Sequence, residues 1–187
     1  MCDVDGYFSS PTTSYVIYEN TLAGVRKSDS EKFDAQIAVL KTALMIATVL
    51  DRVLILPRFH CLRKSSFVDC PLNSLLRITP FDNAFATRYR ASNFLRHPLV
   101  PDAVRRSVSP LYFLANTTNT SNTTTVAVQH SMFDDELKQL LGADLHRVLS
   151  LASLDHIRVT FRSSSQQTSF DKTLTESFKR SDYRQLT

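Results

Sequence analysis

One stretch, FDAQIAVLKTALMIATVLDRVLILP, constrains this chain more than any other. Phe33, Ile37, Leu40, Leu44 and Ala47 recur at spacings of four and three, which places them on one stripe of an α-helix. Ala35, Val39, Ala43 and Ile46 carry the apolar surface onto neighbouring faces. A helix of that kind needs cover on more than one side. Ser28, with Glu31 three positions later, supplies a capping box at its start. Asp51 and Arg52 break the pattern, and residues 53–56 read as a short buried strand ended by Pro57. Buried helix, tight turn and apolar strand make half of an α/β layered unit. The expected fold class is therefore α/β, with this Rossmann-like helix–strand unit at its centre.

The remaining segments are fitted around that unit. Residues 14–18, SYVIY, form a strand-like stretch upstream. Residues 57–76, which hold both Cys61 and Cys70, read as a loop-rich middle. Pro98 and Pro101 exclude one continuous helix from the segment that follows. Residues 116–125, NTTNTSNTTT, are low in complexity and read as an exposed loop. In SMFDDELKQLLG, Ser131 is the expected cap of a second helix and Gly142 its end. Strands are expected at residues 147–151 and where Ile157, Val159 and Phe161 alternate with polar residues. Residues 163–169 read as a linker, and Phe170, Leu174 and Phe178 mark a tail helix. Short C-terminal helices and strands thus complete one domain over residues 1–187, with no repeat.

Composition removes several function classes. Only three glycines occur, Gly6, Gly24 and Gly142, so neither a Walker loop nor a dinucleotide fingerprint can be built. There is no G-x-S-x-G nucleophile turn either, and Asp134-Asp135 fall where they stabilise a helix N-terminus. The net charge of +4 suits an anionic ligand but falls short of a dense basic stripe. Arg88, Arg90, Arg96, Arg105 and Arg106 form a local cluster that reads as a solvated basic face, and no nucleic-acid partner is expected. The apolar run over residues 37–50 carries Lys41 and is too short to span a bilayer. No basic-then-apolar secretory signal opens the chain. The expectation is an intracellular protein or one whose true N-terminus lies upstream.

Candidate chemistry gathers after the central strand, because ligands of open α/β sheets bind beyond the carboxyl ends of the strands. Arg58, His60 and Arg63 fall there. An arginine can hold a phosphate bidentately, and a histidine can donate a hydrogen bond or act as a base near neutral pH. The structural alternative is that Phe59 packs while Arg58 and His60 cover the domain edge. Cys61 and Cys70 lack the second pair of ligands that a zinc site needs. Oxidised, they would add roughly 2–3 kcal/mol in the chain-entropy model; reduced, each is a small buried hydrophobe. The compartment decides between the two. Asn116, Asn119 and Asn122 each begin an N-x-Thr/Ser sequon, meaningful as glycosylation sites only in the secretory pathway.

Three ordered elements then resemble a known block. AQIAVLKTALMIATVLDRVLILPRFHC, DCPLNSLL and RYRASNFLRHPLVPDAVRRSV are similar to the C-terminal part of nucleotide-diphospho-sugar transferases of the plant arabinosyltransferase type. In that family a helix–strand with Asn-Arg-Thr precedes a Cys, then CPLDHVF, then REYSFL-x-NP-x-x-P. Asp51-Arg52-Val53 stand for Asn-Arg-Thr; Pro57, Cys61, Cys70, Pro71 and Leu72 match directly, and Asn73 replaces Asp. Arg90, Ser92, Phe94, Leu95, Pro98 and Pro101 match the third element, while Ala91 and His97 depart from it. The likeness covers residues 35–107. The first element alone also resembles the N-terminal domain of protein O-fucosyltransferases, which is the alternative within enzymes.

The resemblance implies a Golgi protein that moves a sugar, arabinose in the nearer family, from a nucleotide-diphosphate donor to a protein or glycan acceptor. It also implies a divalent metal, Mn²⁺ or Mg²⁺, with no ligands identified in this chain, and a luminal Cys61–Cys70 bridge. Arg58, His60 and Arg90 are the expected donor or acceptor contacts. Asp3-Val4-Asp5 has the form of the metal-holding Asp-x-Asp, yet only Met1 and Cys2 precede it. The family's motif ends an apolar strand, so Asp3 and Asp5 are disfavoured as ligands. The expectation is that the family's upstream catalytic region and membrane anchor are absent from this chain, as in a fragment or a degenerate paralogue. The competing class is a non-catalytic binding or scaffold module on the same fold.

Overall fold

The computed structural model describes residues 7–8, 12–20, 29–63, 66–74, 76–114, 124–127, 131–152, 154 and 157–178. Cys2, Asp3, Asp5, Ser28, Asn116, Asn119 and Asn122 lie outside the described residues. The order opens with strand β1 (Tyr15–Tyr18), helix α1 (Asp29–Val49) and strand β2 (Val53–Ile55). These form a parallel β–α–β unit in which Tyr15, Val16 and Ile17 pair with Val53, Leu54 and Ile55. The central helix–strand reading of the sequence stands. Ala43, Leu44, Met45, Ile46 and Ala47 are all buried, as an all-round apolar helix requires. The turn after α1 depends on Asp51, which takes a left-handed φ of 52°, a conformation Asp tolerates better than most residues. Arg52 fastens that turn by donating from both terminal nitrogens to the carbonyls of His146 and Asp144, at 2.7 and 2.8 Å.

Strands β3 (Phe59–Arg63) and β4 (Ser66–Cys70) pair antiparallel. Here the expected loop-rich stretch is corrected to a hairpin. Helix α2 (Ile78–Phe85), strand β5 (Tyr89–Arg90) and the short helix α3 (Asp102–Arg106) follow, the last starting after Pro101. Strands β6 (Val108–Leu114) and β7 (Thr124–Ala127) come next, so Thr124 and Thr125 begin a strand rather than end a loop. Ser131 is not a helix cap either, since it opens strand β8 (Ser131–Phe133). Helix α4 (Asp134–Leu141) is capped instead by Glu136, whose carboxylate accepts the Phe133 N–H at 2.9 Å, and Gly142 does close it. Strands β9 (Val148–Ala152) and β10 (Arg158–Thr160) match the two expected ones. Helix α5 (Ser164–Phe178) begins inside the expected linker. Its first turns are polar because they face solvent, and Phe170 and Leu174 are buried further along.

Six strands form one sheet in the order β5-β2-β1-β9-β6-β7, every neighbouring pair parallel. Strand alternation divides its side chains between two layers. Val16, Tyr18, Leu54, Leu149 and Leu151 face α1, α2, α4 and α5, forming the larger core with Leu40, Phe81, Leu137 and Leu174. Tyr15, Ile55 and Val148 face the other way, onto Phe94, Val100 and Val104. The molecule is thus α/β with helices on both faces of a parallel sheet. Each fully buried leucine of the sheet stabilises it by roughly 1.5–3 kcal/mol. Among the described residues no helix is long and apolar enough to cross a membrane.

Candidate functional site

A cleft of about 490 Å³ opens beyond the carboxyl ends of β2 and β5, where an open parallel sheet binds its ligands. Leu56, Pro57 and Arg58 line it from the exit of β2, and Ala91 and Ser92 from the exit of β5. Asp69, Cys70, Pro71 and Leu72 close it from the hairpin side. The three sequence elements of the resemblance therefore meet in one place, although they are spread along the chain.

The hairpin wall is held covalently and by polar contacts. Cys61 and Cys70 form a disulfide, with Cα atoms 5.7 Å apart. Asp69 sits opposite His60 in the strand register. Its two oxygens divide between neighbours: Oδ2 accepts from Arg58 Nη1 at 3.0 Å, and Oδ1 lies 3.3 Å from His60 Nδ1. The structure thus brings two of the expected contacts, Arg58 and His60, onto one carboxylate. Arg58 and Asp69 are more than half exposed, so their pairing adds little to stability and leaves both able to meet a ligand. Arg63 belongs to β3, and its side chain lies outside the described residues.

Gln36 is the residue that the sequence reading passed over. It is 2% exposed on the buried helix α1 and ties three parts of the site together. Its Oε1 accepts from Asn20 Nδ2 at 2.7 Å and from the His60 N–H at 2.9 Å, while its Nε2 donates to the His60 carbonyl at 2.9 Å. Asn20, just past β1, also donates to the Arg58 carbonyl at 3.1 Å. The hairpin is therefore anchored to the sheet edge by a buried amide whose polar groups are paired. The available signal was a polar residue set between Ala35 and Ile37, one turn before Leu40, on the buried side of the helix.

Of the three expected contacts only Arg58 lines the cleft; His60 and Arg90 do not. Tyr89 does, and alternation along β5 sends the next side chain to the opposite face of the sheet. There the Arg90 guanidinium lies 4.2 Å from the Tyr7 ring and 5.9 Å from that of Phe94. Tyr89 donates its hydroxyl to Asp82; burial first, and then that hydrogen bond, push its pKa well above the ordinary range. Burial likewise raises the Tyr18 hydroxyl, at the carboxyl end of β1, which has no hydrogen-bond partner among the described residues. Of the other arginines of the basic cluster, Arg88 pairs with Asp51 at 2.5 Å, and Arg105 and Arg106 both pair with Asp102. Among the described residues, no group of three or more His, Cys, Asp or Glu side chains is placed to hold a metal ion.

No family model matches the chain, and no curated protein matches it in sequence. Among solved structures it is similar to two crystal forms of POFUT1 in complex with GDP-fucose, each at 13% identity. The TM-scores are 0.48 and 0.45, and the alignments cover 86% and 88% of this chain against 50% and 52% of those chains. The chain spans about half the length of these neighbours.

Proposed function

We propose that this chain is a portion of a nucleotide-sugar-dependent glycosyltransferase, with the cleft beyond β2 and β5 as part of its ligand site. The observation that carries the reading is convergence. Leu56 and Pro57, then Cys70, Pro71 and Leu72, then Ala91 and Ser92 come from the three separate sequence elements and line the same cleft. Arg58 would offset ligand charge there. His60 does not line the cleft, but its Nδ1 beside Asp69 would hold that cleft-lining carboxylate in place against a protein or glycan acceptor. A divalent metal, if it takes part, would draw its ligands from outside the described residues, which offer no such donor set. The disulfide favours an oxidising compartment, in keeping with a Golgi lumen.

Calorimetric titration of the chain with UDP, GDP and their sugar conjugates, with and without Mn²⁺ or Mg²⁺, tests the reading. Saturable binding that weakens in Arg58→Gln supports it. Absence of binding by every nucleotide at about 1 mM, a weak affinity, defeats it. Preference for a nucleotide-linked arabinose favours the arabinosyltransferase type. Preference for GDP-fucose favours the fucosyltransferase type, which the helix–strand element alone also resembles. Binding without sugar transfer or hydrolysis identifies a non-catalytic module.

A further inference from the structure

A second cavity, of about 470 Å³, opens on the helical side of the sheet, between the carboxyl ends of α1 and α2 and one flank each of α4 and α5. It shares no lining residue with the cleft beyond β2 and β5, and its volume suits a small molecule. Its base is aromatic: Phe85, Phe161 and Phe170 all line it. Phe170 packs edge to face against the other two, with ring centroids 6.4 and 5.7 Å away. Phe85 and Phe170 belong to the larger core, whereas Phe161 is only half-buried at its margin. Ring surface is therefore left open at the cavity. On the rim, α5 presents Gln166 and Ser169, both exposed.

The charge around this cavity has one sign. No aspartate or glutamate lines it, while Arg88 and Lys138 do. Arg88 is spent on Asp51. Lys138 makes no ion pair among the described residues, and the reason is local. A helical lysine draws its partner from acids three and four positions upstream, here Asp135 and Asp134. Both are committed to Arg162: Asp135 accepts from its Nε and Nη2 at 2.9 and 3.1 Å, and Asp134 accepts its backbone N–H at 2.7 Å. Glu136 is taken up in capping α4. Helix α4 thus brings an ammonium without an anion of its own to the edge of an aromatic cavity. We infer that this cavity is a binding site for a small aromatic anion, a planar ring bearing one carboxylate. The ring extends the edge-to-face cluster, the carboxylate meets the Lys138 ammonium, and Gln166 and Ser169 donate to its oxygens. The site does not rest on the proposed function of the cleft.

The probe is 2-naphthoate, with uncharged 2-naphthamide as its match in shape. In calorimetric titration of the full chain, 2-naphthoate should bind saturably at about 1 mM or below, and 2-naphthamide more weakly. Lys138→Gln, at an exposed position, should weaken 2-naphthoate by about two- to fivefold, the scale of an exposed charge pair, and leave 2-naphthamide unchanged. Ser169→Trp should fill the cavity and abolish binding of both. Lys172→Gln, at an exposed lysine of α5 away from the cavity, should bind as the wild type does. No saturable binding at about 10 mM, unchanged 2-naphthoate affinity in Lys138→Gln, or binding that survives Ser169→Trp overturns the site. Loss of binding in Arg58→Gln but not in Lys138→Gln puts the probe in the other cleft and overturns it too. If Ser169→Trp folds poorly, ring resonances of the chain labelled with ¹³C-phenylalanine take its place. The Phe161 signal, identified by its loss in Phe161→Leu, should then shift saturably with 2-naphthoate, and a stationary signal overturns the site.

Discussion

Replacing Gln36 by leucine should loosen the bridged hairpin while leaving the helix that carries it intact. Leucine and glutamine have nearly equal helix propensity and similar size, so α1 has no reason to change. What is lost is the set of three hydrogen bonds to Asn20 and to both backbone groups of His60. A buried polar group left unpaired costs about 1–3 kcal/mol. His60 and Asn20 are only half-buried, so water recovers part of that loss, and about 2–3 kcal/mol is the reasonable total for the set. The leucine side chain returns about 1 kcal/mol through apolar burial. The net of about 1–2 kcal/mol corresponds to a fall in Tm of about 2–8 °C in a chain of this length. Urea unfolding followed by circular dichroism measures the global term. Amide exchange measures the local one: the His60 N–H should lose protection while amides in the middle of α1 keep theirs. A variant as stable as the wild type, with His60 protection unchanged, would refute the claim that Gln36 anchors the hairpin.

Other outcomes follow at four further sites of the structure. Tyr18→Phe removes a buried hydroxyl that has no partner among the described residues, so it should be neutral or more stable by up to about 1 kcal/mol at pH 7; a loss in urea unfolding would mean that the hydroxyl is bonded. Burial raises the Tyr18 pKa, so the folded state keeps its proton where the unfolded state, titrating near about 10, loses it. Stability should therefore fall as pH rises above about 10, and less steeply in Tyr18→Phe. Replacing Cys61 and Cys70 by serine should cost about 2–3 kcal/mol by loop-closure entropy, read as a lower urea midpoint with an unchanged cleft-side fold. Asp135 is held below the usual carboxylate range, chiefly by its hydrogen bond from Arg162; that contribution is present above pH about 4 and lost as the folded carboxyl protonates, so Asp135→Asn should weaken the protein at pH 7 and converge with wild type in acid. Gly142→Ala would drive a Cβ into the Lys138 carbonyl and should cost about 1–2 kcal/mol, measured by thermal unfolding.

What the sequence by itself determined is the β–α–β unit and the regular apolar elements. A 21-residue helix with apolar residues on several faces, followed by a short apolar strand, is compatible with few arrangements other than a layered α/β core. Ile157 and Val159 at period two, and Phe170 and Leu174 at period four, report their elements because burial repeats at the period of the backbone. The hairpin that walls the cleft was not legible for the same reason: FHCLR and SFVDC place charged and polar residues on a partly exposed ribbon, so no burial period marks them. Ser131 failed as a cap because parallel pairing of β8 with β10 claims its backbone, a long-range term that local propensity does not contain. The candidate site divides in the same way. Arg58, His60 and Arg90 stood out by residue type and position after a strand. Their grouping did not, because the alternation of β5 and the register of the hairpin put two of them on Asp69 and the third among aromatic rings across the sheet. Gln36 gained its role only through contacts 16 and 24 residues away. Periodicity along a chain records which side of an element is buried; which side chains meet across elements is decided by strand order, register and crossover, and those exist only once the sheet has formed.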